Sequence, residues 1–249
     1  ERVMRYKPRY NKDVNEWWLC DEGRYSYKMI DQNRITKPHT KVEGVQQEVS
    51  WDTALSALDG EQLKEIAVIA SPHMTNEEIQ VVKEFFRARG NHSIVLAPPK
   101  MGNSDDFLMQ ADKSPNQRGA SAILGVGNAQ KIEEILAEAE AGKMTGLWIF
   151  WDDLCDFVSE ERVKAICAKL STVVFCGTHW NKTAKLAKVV LPAPVFAEKE
   201  GTFTNFEGRV QRIEKVLEPL GEARPVSEIL EGFSSQSSKP GIGKATVPA

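Results

Sequence analysis

The chain has 249 residues, of which 41% are hydrophobic and 27% are charged. This is the composition of a globular protein with one large domain or two small ones and a sizeable core. The formal net charge of −3 excludes the strongly basic surface that is typical of nucleic-acid-binding proteins. The sequence contains no run of 18 apolar residues and no signal peptide, so we expect no segment that inserts into a membrane.

Residues 1–49 are predicted to form a small irregular lobe. This segment is rich in aromatic residues and has strand-like patterns only at residues 3–6 and 42–46. Ser50 then stands at the N-cap position of a helix predicted over residues 51–58. Aromatic and basic side chains of this lobe are of the types that dominate protein interfaces: Arg2, Arg5, Lys7, Arg9, Trp17, Trp18, Tyr25 and Tyr27.

From residue 65 onward, short apolar runs alternate with amphipathic helical patterns. The apolar runs are predicted to be strands buried on both faces, and they lie at residues 66–70, 94–96, 147–150, 173–176 and 189–191. Thr75 and Glu78 form a capping-box pattern that begins the first of the intervening helices. Five strands separated by helices predict an α/β fold, a doubly wound and mostly parallel sheet beside the N-terminal lobe.

The four cysteines, Cys20, Cys155, Cys167 and Cys176, have no C-x-x-C spacing. Cys167 and Cys176 are predicted to be buried, reduced thiols. Cys20 has no cysteine upstream of it, and a [4Fe–4S] cluster takes four thiolates. We therefore expect no cluster in this chain alone. The histidines are scattered, and no residue is predicted to be catalytic.

Three segments resemble one protein superfamily in the order in which they occur. The first consists of Arg5-Tyr6-Lys7-Pro8-Arg9, Val14-Asn15-Glu16-Trp17-Trp18-Leu19-Cys20-Asp21-Glu22-Gly23-Arg24 and Asp31-Gln32-Asn33-Arg34-Ile35. The second, weaker one is Pro115-Asn116-Gln117-Arg118-Gly119-Ala120. The third combines Val189-Val190-Leu191-Pro192 with Glu198-Lys199-Glu200-Gly201-Thr202-Phe203-Thr204-Asn205-Phe206-Glu207-Gly208-Arg209-Val210-Gln211. Together they resemble the molybdopterin oxidoreductases, and most of all the large iron–sulfur subunit of NADH-quinone oxidoreductase, respiratory complex I.

The resemblance implies a domain organisation and a set of cofactors and partners. Residues 1–49 would be the remnant of a 4Fe-4S lobe, 50–215 a degenerate molybdopterin-oxidoreductase-like domain, 216–233 a helical segment and 234–249 a disordered tail. Cys20 would be the fourth cluster ligand in a longer parent protein, of which this chain would be a truncated or shortened fragment. The implied partners are the other subunits of the peripheral arm, with no nucleic acid. The implied location is cytoplasmic, at the periphery of the membrane.

Relatives hold the nucleotide ends of a bis-pterin cofactor in the loops that follow the strands. The corresponding loops here are residues 71–73, 97–99, 151–153 and 177–181. Trp151-Asp152-Asp153 places a bulky ring and two carboxylates where a pyrophosphate would lie, and the central region is much shorter than in relatives. We therefore expect no molybdopterin, and a structural, partner-binding role beside the clusters of the parent.

Two alternatives remain open at this stage. One alternative to the structural role is that the chain is part of a catalytic molybdopterin oxidoreductase of the formate-dehydrogenase kind. The other is that it is a free-standing binding protein on a degenerate scaffold. Arg209 is expected to pair with Glu207 or to serve a cofactor, and the structural role is favoured.

Overall fold

The computed structural model describes residues 2–58, 65–127 and 129–237. Within them, a seven-stranded sheet has the order β2-β1-β7-β6-β5-β3-β4. The strands are β1 (His39–Val42), β2 (Val45–Glu48), β3 (Ile66–Ala70), β4 (Ile94–Leu96), β5 (Gly146–Phe150), β6 (Thr172–Gly177) and β7 (Val189–Pro192). A separate antiparallel pair consists of β8 (Gly201–Thr204) and β9 (Val210–Ile213). The predicted mostly parallel α/β sheet is confirmed.

The helices lie on both faces of the sheet. Helices α2 (Trp51–Ser56), α3 (Asn76–Ala88) and α8 (Val226–Ser237) pack on one face, and α5 (Ala129–Glu140), α6 (Glu160–Lys169) and α7 (Lys182–Leu186) pack on the other. The described residues also include the α-helices α1 (Asp21–Tyr25) and α4 (Gln117–Leu124) and three short 3-10 helices, Ser26–Ile30, Leu154–Asp156 and Phe196–Glu198. Within the described residues, no helix is long and apolar enough to cross a bilayer.

Strands β3 to β7 run parallel to one another, because a connection that contains a helix joins each of these strands to the next one in the sequence. Every residue of β3, β5 and β7 is buried, whereas β4, at the edge of the sheet, is only partly buried. The two faces of β3 belong to different cores, since Val68 packs in one and Ile69 in the other. The capping box is present, since Thr75 Oγ1 accepts a hydrogen bond from Glu78 N while Glu78 Oε2 accepts one from Thr75 N. Ser50 likewise caps α2 by accepting a hydrogen bond from Thr53 N.

Part of the N-terminal segment joins the sheet. Strand β1 pairs antiparallel with β7, and β2 pairs antiparallel with β1. The strand predicted over residues 42–46 was wrong, because a turn divides it. Glu43 and Gly44 have φ of 49° and 84°, and positive φ at two successive residues is the geometry of a tight hairpin turn. Residues 3–6 have no regular structure.

The predicted helical segment 216–233 was wrong at both ends, because residues 216–225 are not helical and the helix continues past residue 233. Helix α8 includes Ser234, the first residue of the predicted disordered tail. Arg89 Nη2 donates a hydrogen bond to Ser234 Oγ, which donates to Leu230 O. These bonds hold the last turn on α3, so residues 234–237 are helical. The rest of the predicted tail, residues 238–249, lies outside the described residues, and the other domain boundaries stay predictions.

Candidate functional site

The order in which strands are added to the parallel part of the sheet reverses at β3. The chain passes from β3 to β4 on one side and then returns across β3 to place β5 on the other side. The carboxyl ends of β3 and β5 therefore lie at a topological switch point, where ligands bind in open α/β sheets.

A cleft of about 820 Å³ lies at this edge, a volume within the range of small-molecule sites. Three of the four predicted loops line it, through His73, through Trp151-Asp152-Asp153 and through Thr178, His179 and Asn181. The fourth predicted loop, residues 97–99, is not among the lining residues. Lys100, which follows this loop directly, lines the cleft instead, together with Lys113 and Pro115. The N-terminal lobe adds Ser26 and Met29, so the lobe and the sheet share one cleft.

Asp152 is the most unusual polar group of the cleft. Its residue surface is 1% exposed, and the Ser71 side chain is hydrogen-bonded to its carboxylate. Its Oδ2 atom is buried, and no donor among the described residues reaches it. Burial raises the pKa of Asp152 to about 6, although Ser71 and Lys100 act in the opposite direction. An unsatisfied buried oxygen in a cleft is a site that a ligand donor would complete.

Trp151 turns the chain sharply at the end of β5. Its φ is +62°, a region that bulky residues rarely adopt. The N–H of Asp152 donates to Phe150 O at 2.7 Å, and this bond closes a three-residue turn around Trp151. Lys199 Nζ lies 4.8 Å from the centroid of the Trp151 ring. The strained turn therefore places Trp151 among the residues that line the cleft.

Asp153 has a structural role. Its carboxylate accepts hydrogen bonds from the N–H groups of Lys182 and Thr183, from Thr183 Oγ1 and from the N–H of Cys155. Burial alone would raise the pKa of Asp153, but these hydrogen bonds outweigh it and lower the pKa. Asp153 therefore stabilises the start of α7, and its carboxylate oxygens are already hydrogen-bonded within the protein.

Each of the three lysines that line the cleft already has a carboxylate partner. The Nζ···Oδ2 distance from Lys100 to Asp156 is 2.9 Å, and the Nζ···Oε2 distance from Lys113 to Glu22 is also 2.9 Å. Lys199 Nζ lies 2.7 Å from an oxygen of Glu78. With Asp152 and Asp153, three lysines face five carboxylates, which leaves this group two negative charges in excess.

The two histidines of the cleft add no positive charge at neutral pH. Burial lowers the pKa of His73 to about 4, and Lys100 adds to the effect. Burial also lowers the pKa of His179, whose Nδ1 lies 2.6 Å from Thr178 Oγ1 and whose Nε2 lies 2.7 Å from Met29 O. A cleft with this charge balance does not fit the pyrophosphate of a pterin dinucleotide, because such groups are bound by free cations and N–H groups.

Glu198, in the third matching segment, connects the sheet domain to Arg34 of the lobe. The guanidinium of Arg34 donates to both carboxylate oxygens of Glu198, at 2.9 and 2.7 Å. It also donates to Thr178 O and Ile30 O. Both side chains of the ion pair are nearly inaccessible, 2% and 3% exposed. Arg34 lies in the matching stretch at residues 31–35, but the sequence has no local signal that identifies Glu198 as its partner, so this pair was not predicted.

Arg209 does not pair with Glu207. Its Nη2 donates to Asp13 O in the lobe at 3.2 Å. Asn205 Oδ1 accepts from the N–H groups of Glu207 and Arg209 and so forms the β8–β9 turn, in which Gly208 has φ of 90°. The structural role expected for this segment agrees with these contacts.

The Asn116–Gly119 segment is also structural. Asn116 Nδ2 donates to Met74 O, and its Oδ1 accepts from Thr204 N. A side chain at position 119 would place its Cβ 2.1 Å from Asn76 Oδ1 and 2.4 Å from Asn116 Oδ1, so any larger residue would have to displace these amide side chains between α4 and α3. Asn116 and Gly119 of the weaker matching segment therefore serve the packing of α4 against its neighbours.

Cys20 lies at the N-cap of α1. Its Sγ accepts a hydrogen bond from Gly23 N at 3.3 Å, the kind of contact that tunes a cluster thiolate. Among the described residues, no group of three or more His, Cys, Asp or Glu side chains is placed to hold a metal ion. The described residues therefore supply one candidate cluster ligand, Cys20, of the four that a [4Fe–4S] cluster needs.

The aromatic residues of the lobe lie mostly in solvent. Trp17 and Trp18 are 66% and 54% exposed. The Trp17 ring packs on Tyr10, with centroids 4.7 Å apart, and the Trp18 ring packs on Phe107 at 5.0 Å. Tyr25 is also exposed. These rings are therefore not part of the sheet-domain core.

Comparisons with known proteins agree with this architecture. Residues 107–236 match the family model described as "Molybdopterin oxidoreductase". Residues 1–28 match the model described as "NADH-ubiquinone oxidoreductase NDSU1/NuoG-like, 4Fe-4S domain". The predicted superfamily is confirmed.

Curated relatives match over less than half of the chain. The NADPH-Fe(3+) oxidoreductase subunit alpha of Geobacter sulfurreducens is 31% identical over 122 residues, 49% of this chain and 14% of that protein. The probable oxidoreductase YjgC of Bacillus subtilis is 37% identical over 107 residues, 43% of this chain and 10% of that protein. The putative formate dehydrogenase YrhE of Bacillus subtilis is 38% identical over 102 residues, 41% of this chain and 10% of that protein. The matched part thus spans only a tenth to a seventh of these relatives.

Among solved structures, acetylene hydratase from Pelobacter acetylenicus superposes with a TM-score of 0.51. The superposition covers 94% of this chain and 65% of that chain, at 10% sequence identity. At this identity the likeness concerns the fold alone.

Proposed function

Because the chain belongs to the molybdopterin oxidoreductase family, we propose that it forms a structural, partner-binding module within a longer parent protein, the large iron–sulfur subunit of an NADH-quinone oxidoreductase. The observation that carries the proposal is the match of residues 1–28 to a NuoG-like 4Fe-4S domain, on a sheet domain whose cleft has excess negative charge. The module would lie beside the electron-relay clusters, cytoplasmic and peripheral to the membrane.

In the parent, Cys20 would supply the fourth thiolate of a [4Fe–4S] cluster, and the other three would come from residues outside this chain. When bound, such a cluster supplies one-electron transfer. The hydrogen bond from Gly23 N to Cys20 Sγ would orient the thiolate and stabilise its charge.

The module would hold no molybdopterin of its own. The paired lysines and the Trp151-Asp152-Asp153 turn support this part of the proposal, since they oppose a pyrophosphate both electrostatically and sterically. The cleft between the lobe and the sheet domain would be a feature that the fold retains without the cofactor, because a shared fold does not imply a shared function.

The partner surface would be the aromatic and basic face of residues 1–49, and the partners would be other subunits of the peripheral arm. Exposed Trp and Tyr beside Arg are the residue types that dominate interface energetics. Arg5, Lys7 and Arg9 accompany Trp17 and Trp18 in this lobe.

We expect the double variant Trp17→Ala and Trp18→Ala to weaken assembly of the parent with its partner subunits. Each truncated hot-spot ring typically costs about 2 kcal/mol or more of binding free energy. The measurement is co-purification of partner subunits at matched expression, together with the melting temperature of the variant. Replacing Val216, an equally exposed apolar residue outside the lobe, with Ala is the control. A large fall in melting temperature with intact assembly would place the interface elsewhere.

The alternative is a segment of a catalytic molybdopterin oxidoreductase of the formate-dehydrogenase kind. It is favoured by the relatives that carry the name putative formate dehydrogenase. The two proposals differ in the metal content of the parent, because only the alternative requires molybdenum or tungsten.

A further inference from the structure

We propose that the cleft at the carboxyl ends of β3 and β5 binds a small organic cation, which carries N–H donors on an apolar body and donates to Asp152. This inference goes beyond the proposed function and does not depend on the iron–sulfur assignment. It shares with the proposed function only the absence of a pterin dinucleotide from the cleft.

The charge balance selects a cation. Lys100, Lys113 and Lys199 each lie within 2.9 Å of a carboxylate oxygen, so none of them is available to neutralise an anionic ligand. Asp152 and Asp153 are not part of these pairs, and the N–H groups around α7 satisfy Asp153. The charge left for a ligand to neutralise is therefore that of Asp152.

The unsatisfied oxygen selects an N–H donor. Asp152 Oδ2 is buried and has no partner among the described residues, while Ser71 is hydrogen-bonded to the same carboxylate. A buried acceptor without a donor carries its full desolvation cost. A ligand N–H at this position would remove that cost, and a positive charge on the donor would strengthen the bond.

The apolar side chains that line the cleft favour a ligand whose remaining part is apolar and planar. Trp151, Val195, Phe196 and Phe203 line the cleft beside Asp152. Aromatic rings attract cations through their faces and also bury apolar surface. Benzamidine combines a planar ring with a cationic group that has several N–H donors, so it is a suitable probe.

The test is isothermal titration of the 249-residue chain with benzamidine at about pH 7.5, above the raised pKa of a buried carboxyl. Benzamide has nearly the same shape without the charge, benzoate carries the opposite charge, and guanosine monophosphate represents a nucleotide. We expect benzamidine to bind more tightly than benzamide, and benzoate and guanosine monophosphate not to bind measurably. Equal affinity for benzamide, or tighter binding of either anion, would overturn the proposal.

Two variants locate the binding site. Asp152→Asn is expected to weaken benzamidine at least about tenfold, since a hydrogen bond to a charged group is lost. Asp106→Asn is the control, because it removes a carboxylate that is exposed and does not line the cleft, so its effect should be much smaller. Unchanged affinity in Asp152→Asn, or an equal loss in both variants, would contradict the assignment of Asp152.

The affinity should also depend on pH. Asp152 faces Ser71 from the loop after β3, Lys100 from the loop after β4, and Asp153 and Asp156 from its own loop. Protonation of Asp152 removes the acceptor charge, so benzamidine should bind more weakly at about pH 5 than at about pH 7.5. Asp152→Asn should abolish this dependence, and a pH dependence that persists in the variant would count against the proposal.

Discussion

Replacing Arg34 with leucine is expected to lower the free energy of unfolding by about 3–5 kcal/mol. The variant would leave Glu198 buried without its counter-charge, and the carbonyl groups of Thr178 and Ile30 would each lose a donor. Leaving one member of a buried ion pair uncompensated costs far more than the pair contributes, because the desolvated charge has no substitute for water.

The measurement is urea unfolding of the wild type and of Arg34→Leu at neutral pH. Arg212→Leu is the matched control, since Arg212 pairs with Glu200 at 3.1 Å on the surface and should change stability by only about 0–1 kcal/mol. The double variant Arg34→Leu with Glu198→Leu should recover part of the loss. A loss below about 1 kcal/mol for Arg34→Leu would mean that the pair does not connect the lobe and the sheet domain in solution.

The Asp152→Asn variant is expected to be more stable than the wild type at neutral pH, by an amount on the order of 1–3 kcal/mol. The pKa of Asp152 is about 6 in the folded chain, above its ordinary value. Between these two pKa values the native state binds more protons than the unfolded state, so stability falls as pH rises through this range. Asparagine has no charge to desolvate, so the stability of the variant should not fall as pH rises through this range.

The measurement is the difference in unfolding free energy between Asp152→Asn and the wild type, from urea titrations between about pH 3 and about pH 7.5, which bracket the ordinary and the raised pKa of Asp152. We expect the difference to be near zero at the acidic end and to grow with pH until it levels off above the folded pKa. Asp105→Asn is the control of opposite sign, because backbone N–H groups of residues 107–109 lower the pKa of Asp105. A variant no more stable than the wild type at the alkaline end would show that Asp152 is solvated or paired in solution.

The local features of the sheet domain were predictable because short-range chemistry determines them. The caps at Ser50 and Thr75 and the apolar run at residues 66–70 need only neighbouring residues to be recognised. Strands β1 and β2 were not predicted as a pair, because they are short and polar and lack a buried alternating pattern. The hairpin between them depends on positive φ at Glu43, a conformation that glutamate does not signal.

The candidate site was predictable in position but not in chemistry. The loops that follow parallel strands meet at one edge of the sheet, so three of the four candidate loops lie together. The pairing of Lys199 with Glu78, 121 positions away, and the missing donor at Asp152 depend on tertiary contacts. A single sequence has no local signal for either.

The most direct test of the central claim is metal analysis of the parent protein after anaerobic purification, with and without Cys20→Ala. We expect iron and acid-labile sulfide but neither molybdenum nor tungsten, and a loss of about four iron atoms in the variant, since one [4Fe–4S] cluster would lack a ligand. Stoichiometric molybdenum or tungsten would favour the formate-dehydrogenase-like alternative. An unchanged iron content in Cys20→Ala would contradict the assignment of Cys20 as a cluster ligand.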